Sequence, residues 1–199
     1  MEKGRLEAFS DGVFAIIITI MVLELKVPQK TDINALLLQW PIFLGYVLSF
    51  INVGMYWNNH HHMLQAAETV NGRILWANML LLFSLSLIPF VTDWMGESHF
   101  AKVPVTCYGV VLIMNALSYT ILAIALIRHH GEDSLLAKAI GRDVKGYLSL
   151  VIYATAIFIS FFNSVISVAM YGVVACIWLI PDKRIERKII TDEPGCEKS

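Results

Sequence analysis

Six stretches of the chain stay apolar for about as long as a bilayer is thick, and polar or proline-bearing turns separate them. A hydrocarbon core of about 30 Å takes about 20 residues of helix, so each stretch reads as one crossing. The first covers 9–25 and closes at Lys26 and Pro28. The second, 36–57, is capped by Thr31 or Asp32, carries Pro41 near its start and runs into a polar turn from Asn58 to His62. The third, 73–92, has Pro89 near its end. The fourth, 104–127, opens on Pro104, which suits a first helical turn, and stops before Arg128.

From Tyr147 to Ile180 the apolar run spans about 50 Å as helix, too long for one crossing. It must double back, and Phe162, Asn163 and Ser164 supply the hinge because Asn and Ser favour turns and caps. That gives a fifth span at 147–162 and a sixth at 165–180, stopped by Pro181. In the loop from Arg128 to Gly146 a short amphipathic helix is expected around Leu135, Leu136 and Ile140. Residues 191–199, with Pro194 and Gly195 among charges, read as a disordered tail. The expectation is an all-α integral membrane protein with one six-helix domain over 1–190. No sequence repeat relates spans one to three to spans four to six.

Composition agrees with a lipid environment. Hydrophobic residues make up 57% and charged residues 16%, with a mean hydropathy of +0.64, whereas soluble domains are about a quarter charged. A net charge of -1 leaves no cationic excess for nucleic acid. All Lys and Arg except Lys26, Lys30 and Lys102 fall on one side of a six-span layout, so the positive-inside rule puts both termini in the cytoplasm of a multi-pass cell-membrane protein. The basic start followed by an apolar run has the outline of a secretory signal. Asp11 interrupts it and no small-x-small site precedes Pro28, so the segment is expected to remain. Cys107 and Cys176 lie in apolar runs and Cys196 in the tail, a pattern of packing residues rather than a disulfide or metal framework.

Candidate chemistry concentrates in the first span, where Arg5, Glu7, Ser10 and Asp11 lead directly into apolar residues. A charged group at the centre of a membrane helix costs about 2.5–3.5 kcal/mol, so Asp11 needs a partner or a task. The second span returns to the same side at Trp57, His60 and His61. Trp57 and His61 stand four residues apart on one face and offer an indole N–H and an imidazole to the carboxylate, with Arg5 as a further bidentate partner. His60, His61 and His62 point about 100° apart from one position to the next and do not converge on a metal. Further along the first helix, Gly12, Ile16, Ile20 and Leu23 share a face with Thr19 at its edge. That face either meets lipid and neighbouring helices or, in a ring of copies, forms hydrophobic constrictions with one hydroxyl layer.

Arg5-x-x-x-Phe9-Ser10-Asp11, together with Tyr56 to His61 (YWNNHH), resembles the signature motifs of the endosomal and lysosomal potassium channel family, in particular its single-repeat prokaryotic members. The resemblance implies a homotetramer whose first helices line a central pore without a carbonyl filter. It places Ile16 at the narrowest constriction, Thr19 at the layer favouring potassium, and Ile20 and Leu23 at further pore-lining positions. Arg5, Phe9, Ser10, Asp11, Trp57, His60 and His61 would form the network that seats the pore helix. Potassium, conducted passively and with modest preference over sodium, is the implied partner, and no cofactor or metal is expected. Glu24 has two readings: a ring that gathers cations at the outer mouth, or an ion pair with Lys26 or Lys30. The competing function is a proton- or ion-coupled transporter using Asp11 and His60/His61 as a relay. An enzyme is not expected, because outside Asp11 no membrane-depth carboxylate pair, activated nucleophile or metal spacing occurs.

Overall fold

Backbone polar groups in lipid are satisfied only within helices or closed barrels. In the computed structural model, which describes residues 3–28, 30–131, 134, 137 and 144–179, every element among the described residues is an α-helix. In chain order these are α1 (Lys3–Leu23), α2 (Ile33–Leu37), α3 (Trp40–Gln65), α4 (Gly72–Ser86), α5 (Ile88–Glu97), α6 (Lys102–His130), α7 (Val144–Ser160) and α8 (Ser164–Leu179). Lys3–Leu23, Gly72–Glu97 and Lys102–His130 are each long and apolar enough to cross a membrane, and α7 and α8 are shorter apolar helices. The expected helix around Leu135, Leu136 and Ile140, the end of the sixth span at Ile180 and Pro181, and the tail 191–199 lie outside the described residues.

Local chemistry sets the boundaries, and in three places it departs from the sequence reading. Asp32 caps the short α2 by accepting from Ala35 N at 2.8 Å, so the stretch 36–57 is divided, and α3 starts afresh at Trp40 with Pro41 in its first turn. No polar turn forms at Asn58 to His62: α3 continues to Gln65. No Gly or Pro interrupts that segment, and His60 bonds to Asn78 on α4 while the backbone stays helical. The helix expected at 73–92 breaks at Leu87, ahead of the proline that lacks a donor, and resumes as α5 to Glu97. Between α7 and α8 the chain turns over residues 161–163. Phe162 N and Asn163 N both donate to Ile159 O at 2.8 Å, and Asn163 Oδ1 accepts from Val165 N and Ile166 N.

The ends of the helices show how they alternate. Lys3 donates to Gln65 O and Ala67 O, so α1 begins where α3 ends. His129 and His130 join the end of α6 to the segment that opens α4, through Thr69, Asn71 and the Glu68 and Thr69 amides. At the opposite end Lys26 pairs with Glu97, bringing the exits of α1 and α5 together. That hydrogen-bonded carboxylate raises the Lys26 ammonium above the usual lysine range. α6 packs against α4, α5, α7 and α8, while α1 lies at one side against α3, α4 and α5.

Interior polar groups bond across helices. Ser49 meets Thr92 at 2.7 Å and Tyr108 at 3.0 Å, and Tyr171 OH donates to Val105 O at 3.2 Å. Gly109 leaves the space into which Tyr171 and Ile157 press. Cys107 is half-buried, and Cys176 faces outward rather than into the packing.

Candidate functional site

The helix α1 packs through one face alone. Leu6, Ser10, Phe14, Ile17 and Met21 recur at helical spacing and are buried against the neighbouring helices. The opposite face is exposed in the single chain: Ile16 by 59%, Ile20 by 42% and Leu23 by 74%, with Asp11, Gly12 and Thr19 exposed alongside. On α4 and α5 the exposed side chains between the helix ends are mostly apolar or aromatic ones such as Phe83, Phe90 and Trp94, with Arg73 and Glu97 exposed at the two ends. The outward stripe of α1 combines the carboxylate of Asp11, Gly12 and the hydroxyl of Thr19 with its aliphatic residues.

The buried face is seated by a directed chain of hydrogen bonds. Ser10 Oγ donates to Leu6 O at 2.8 Å, which leaves the Ser10 Oγ lone pairs free to accept from Asn78 Nδ2 at 3.0 Å. The amide so oriented turns Oδ1 toward His60 Nε2 at 2.7 Å, and His60 must therefore carry its proton on Nε2. All three side chains are almost completely buried, and the His60 ring also lies 5.5 Å from the Phe14 ring. α1, α3 and α4 are thereby locked at one depth. Sequence reasoning missed Asn78. Its signal was available, since it is the one amide in the apolar run from Ile74 to Phe83.

Asp11 has a different setting from the one expected. It is exposed rather than dry, and Trp57 Nε1 donates to Asp11 Oδ1 at 2.9 Å. Of the two donors offered by α3, only the indole reaches it. His61 stacks on Trp57, with ring centroids 6.0 Å apart and planes 23° apart, instead of meeting the carboxylate. Arg5 and Phe9 point outward on the exposed stripe, and among the described residues Arg5 forms no ion pair with Asp11. The seven residues assigned to one network thus divide into a buried set with Ser10 and His60, a surface set with Asp11, Trp57 and His61, and two residues, Arg5 and Phe9, outside both. Among the described residues Asp11 and His60 share no hydrogen-bond partner.

Thr19 Oγ donates to Ala15 O at 2.8 Å. A hydroxyl whose hydrogen is committed to its own helix presents only lone pairs outward, and lone pairs are what a cation requires. Glu24 is exposed at the far end of α1, and its anticipated partner Lys26 is engaged by Glu97 instead.

Comparison with known proteins follows the same lines. The family described as endosomal/lysosomal potassium channel TMEM175 matches residues 5–89, the part that holds α1, α3 and α4. A potassium channel of Chryseobacterium sp. (strain P1-3) is 57% identical over 189 residues, covering 95% of this chain and 98% of that protein. One from Streptomyces collinus is 31% identical over 185 residues, covering 87% and 90%. Among solved structures, a lysosomal potassium-selective channel TMEM175 homolog from Chamaesiphon minutus superposes with a TM-score of 0.79 at 31% identity, over 90% of this chain and 97% of that one.

Proposed function

The chain belongs to the TMEM175 family of endosomal/lysosomal potassium channels, and from that premise we propose that it conducts potassium passively through a pore lined by the exposed stripe of α1. The pore is shared by a tetramer of six-span subunits in the cell membrane, with both termini in the cytoplasm. The observation that carries this reading is the composition of that stripe. Lipid tolerates Ile16, Ile20 and Leu23 but not Asp11 at their edge, whereas an axis wetted at its ends accepts all of them.

In this arrangement each position becomes a ring. Ile16 and Leu23 are seven residues apart, about 10 Å along the axis, with the Thr19 ring about 4.5 Å beyond Ile16. Rings of isoleucine and leucine supply no oxygen to replace hydration water, so they gate by excluding water, and the narrowest is assigned to Ile16. Thr19 is the layer whose oxygens favour potassium over sodium, modestly, because its lone pairs are already turned away from the helix. At the outer mouth Glu24 and the negative ends of the helix dipoles raise the local cation concentration. On the exposed stripe Arg5 faces the neighbouring subunit and pairs with an acidic group there, while the Ser10–Asn78–His60 chain fixes the rotation that aims Ile16 at the axis.

The test is reconstitution in liposomes with recordings under opposed potassium and sodium gradients. Unitary currents reversing toward the potassium equilibrium potential are expected. Saturating, proton-driven flux without unitary steps would replace the channel by a carrier.

A further inference from the structure

A cleft of about 1170 Å³ runs between α4 and α6 and is lined by no residue of α1. We propose that it holds an anionic phospholipid, with the phosphate at Arg73 and Arg128 and an acyl chain along the floor. The inference rests on the membrane placement given above but on nothing in the conduction pathway.

Three features coincide there. The two helices are antiparallel, so the first turn of α4 and the last turn of α6 meet at one end, where His129 fastens them through Thr69 and Asn71. Arg73 and Arg128 both line the cleft at that end, both are exposed, and among the described residues neither makes an ion pair. Guanidinium forks bind the paired oxygens of an anion such as a phosphodiester, so two of them at one mouth suit an anionic headgroup rather than a neutral one. Trp76, one turn further in, is 79% exposed, in the position that an indole takes at the headgroup boundary.

Beyond the tryptophan the lining becomes aliphatic, with Leu80 on α4 and Ile121 and Ile124 on α6. Arg73 to Leu80 is seven residues, or about 10 Å of helix, which matches a headgroup followed by the upper part of an acyl chain. A charged mouth over an apolar floor between transmembrane helices is the chemistry of an anionic-lipid pocket in the cytoplasmic leaflet. A free anion would use only the mouth, and an uncharged apolar chain only the floor.

The experiment compares retention of phosphatidylglycerol and phosphatidylcholine by the purified, delipidated assembly, read by native mass spectrometry. Phosphatidylglycerol is expected to be held at least about tenfold more tightly. With about fivefold from each basic group, R73Q/R128Q is expected to lose roughly twenty-five-fold and approach the phosphatidylcholine value. Equal retention of the two lipids by the unaltered protein, or undiminished retention by the double variant, overturns the proposal. Should the double variant fail to assemble, brominated lipids decide the matter. Bromine on a phosphatidylglycerol chain quenches a component of tryptophan fluorescence that is missing in Trp76→Phe, and quenching identical in Trp76→Phe refutes the site. Disulfide-linked dimers of Trp76→Cys would place a second copy in the cleft and refute it equally. None of these readouts depends on ion conduction, so their failure leaves the channel reading standing.

Discussion

Asn78 and Asn115 make a controlled pair for asking what seats α1. Both are fully buried asparagines in transmembrane segments, yet Asn78 bridges Ser10 and His60 while the Asn115 amide has no partner among the described residues. Replacing Asn78 by Leu keeps the branched side-chain shape, at a somewhat larger volume, and removes both bonds. Ser10 keeps its bond to Leu6 O and loses only an acceptor role, a cost of about 0.5 kcal/mol, whereas the buried His60 Nε2–H is left unpaired at about 1–3 kcal/mol. Membrane hydrogen bonds average nearer 0.6 kcal/mol than their gas-phase strength suggests, so the expected total is about 2 kcal/mol. Asn115→Leu removes an unpaired amide and is expected to be neutral or stabilising.

The assay is reversible unfolding in mixed micelles, with Ser10→Ala added to close a double-mutant cycle. A coupling of about 0.5–1 kcal/mol between positions 10 and 78 is expected, since they share one bond. Equal effects of the two Asn substitutions, or strict additivity of Ser10→Ala with Asn78→Leu, would refute the claim that this chain of bonds holds α1 in place.

Further outcomes follow from the same geometry. In the proposed pore Ile16→Asn is expected to wet the constriction, and a barrier lowered by about 1 kcal/mol would raise single-channel conductance roughly fivefold; an unchanged unitary current removes Ile16 from the constriction. Thr19→Val keeps shape and discards the oxygen, so the potassium-to-sodium permeability ratio, read from reversal potentials, should fall about two- to threefold while stability stays the same. Gly109→Ala sets a methyl within 2.7 Å of Ile157 Cγ1 and against Tyr171. It should destabilise the protomer by about 1–3 kcal/mol in the same unfolding assay, without altering ion preference in whatever fraction folds.

Much of this protein is legible in the order of its residues. Apolar runs near 20 residues identify membrane helices because lipid offers the backbone no partner, and proline, asparagine and aspartate punctuate them for reasons that are local to each residue. The turn at Asn163 and the cap at Asp32 belong to this class. So does the outward stripe of α1, since helical periodicity alone groups Gly12, Ile16, Ile20 and Leu23. What periodicity leaves open is which stripe of a helix meets protein. That depends on the faces of α3, α4 and α5, and these became known only when the chain was folded. The histidines illustrate the same limit. Nothing along the sequence says that His60 bonds to an asparagine on the next helix while His61 stacks on Trp57, or that Glu97 takes the lysine beside Glu24. Partners far apart in the chain are chosen by the packing of whole helices, and a hydrogen bond is decided over a few ångströms that only the tertiary arrangement determines.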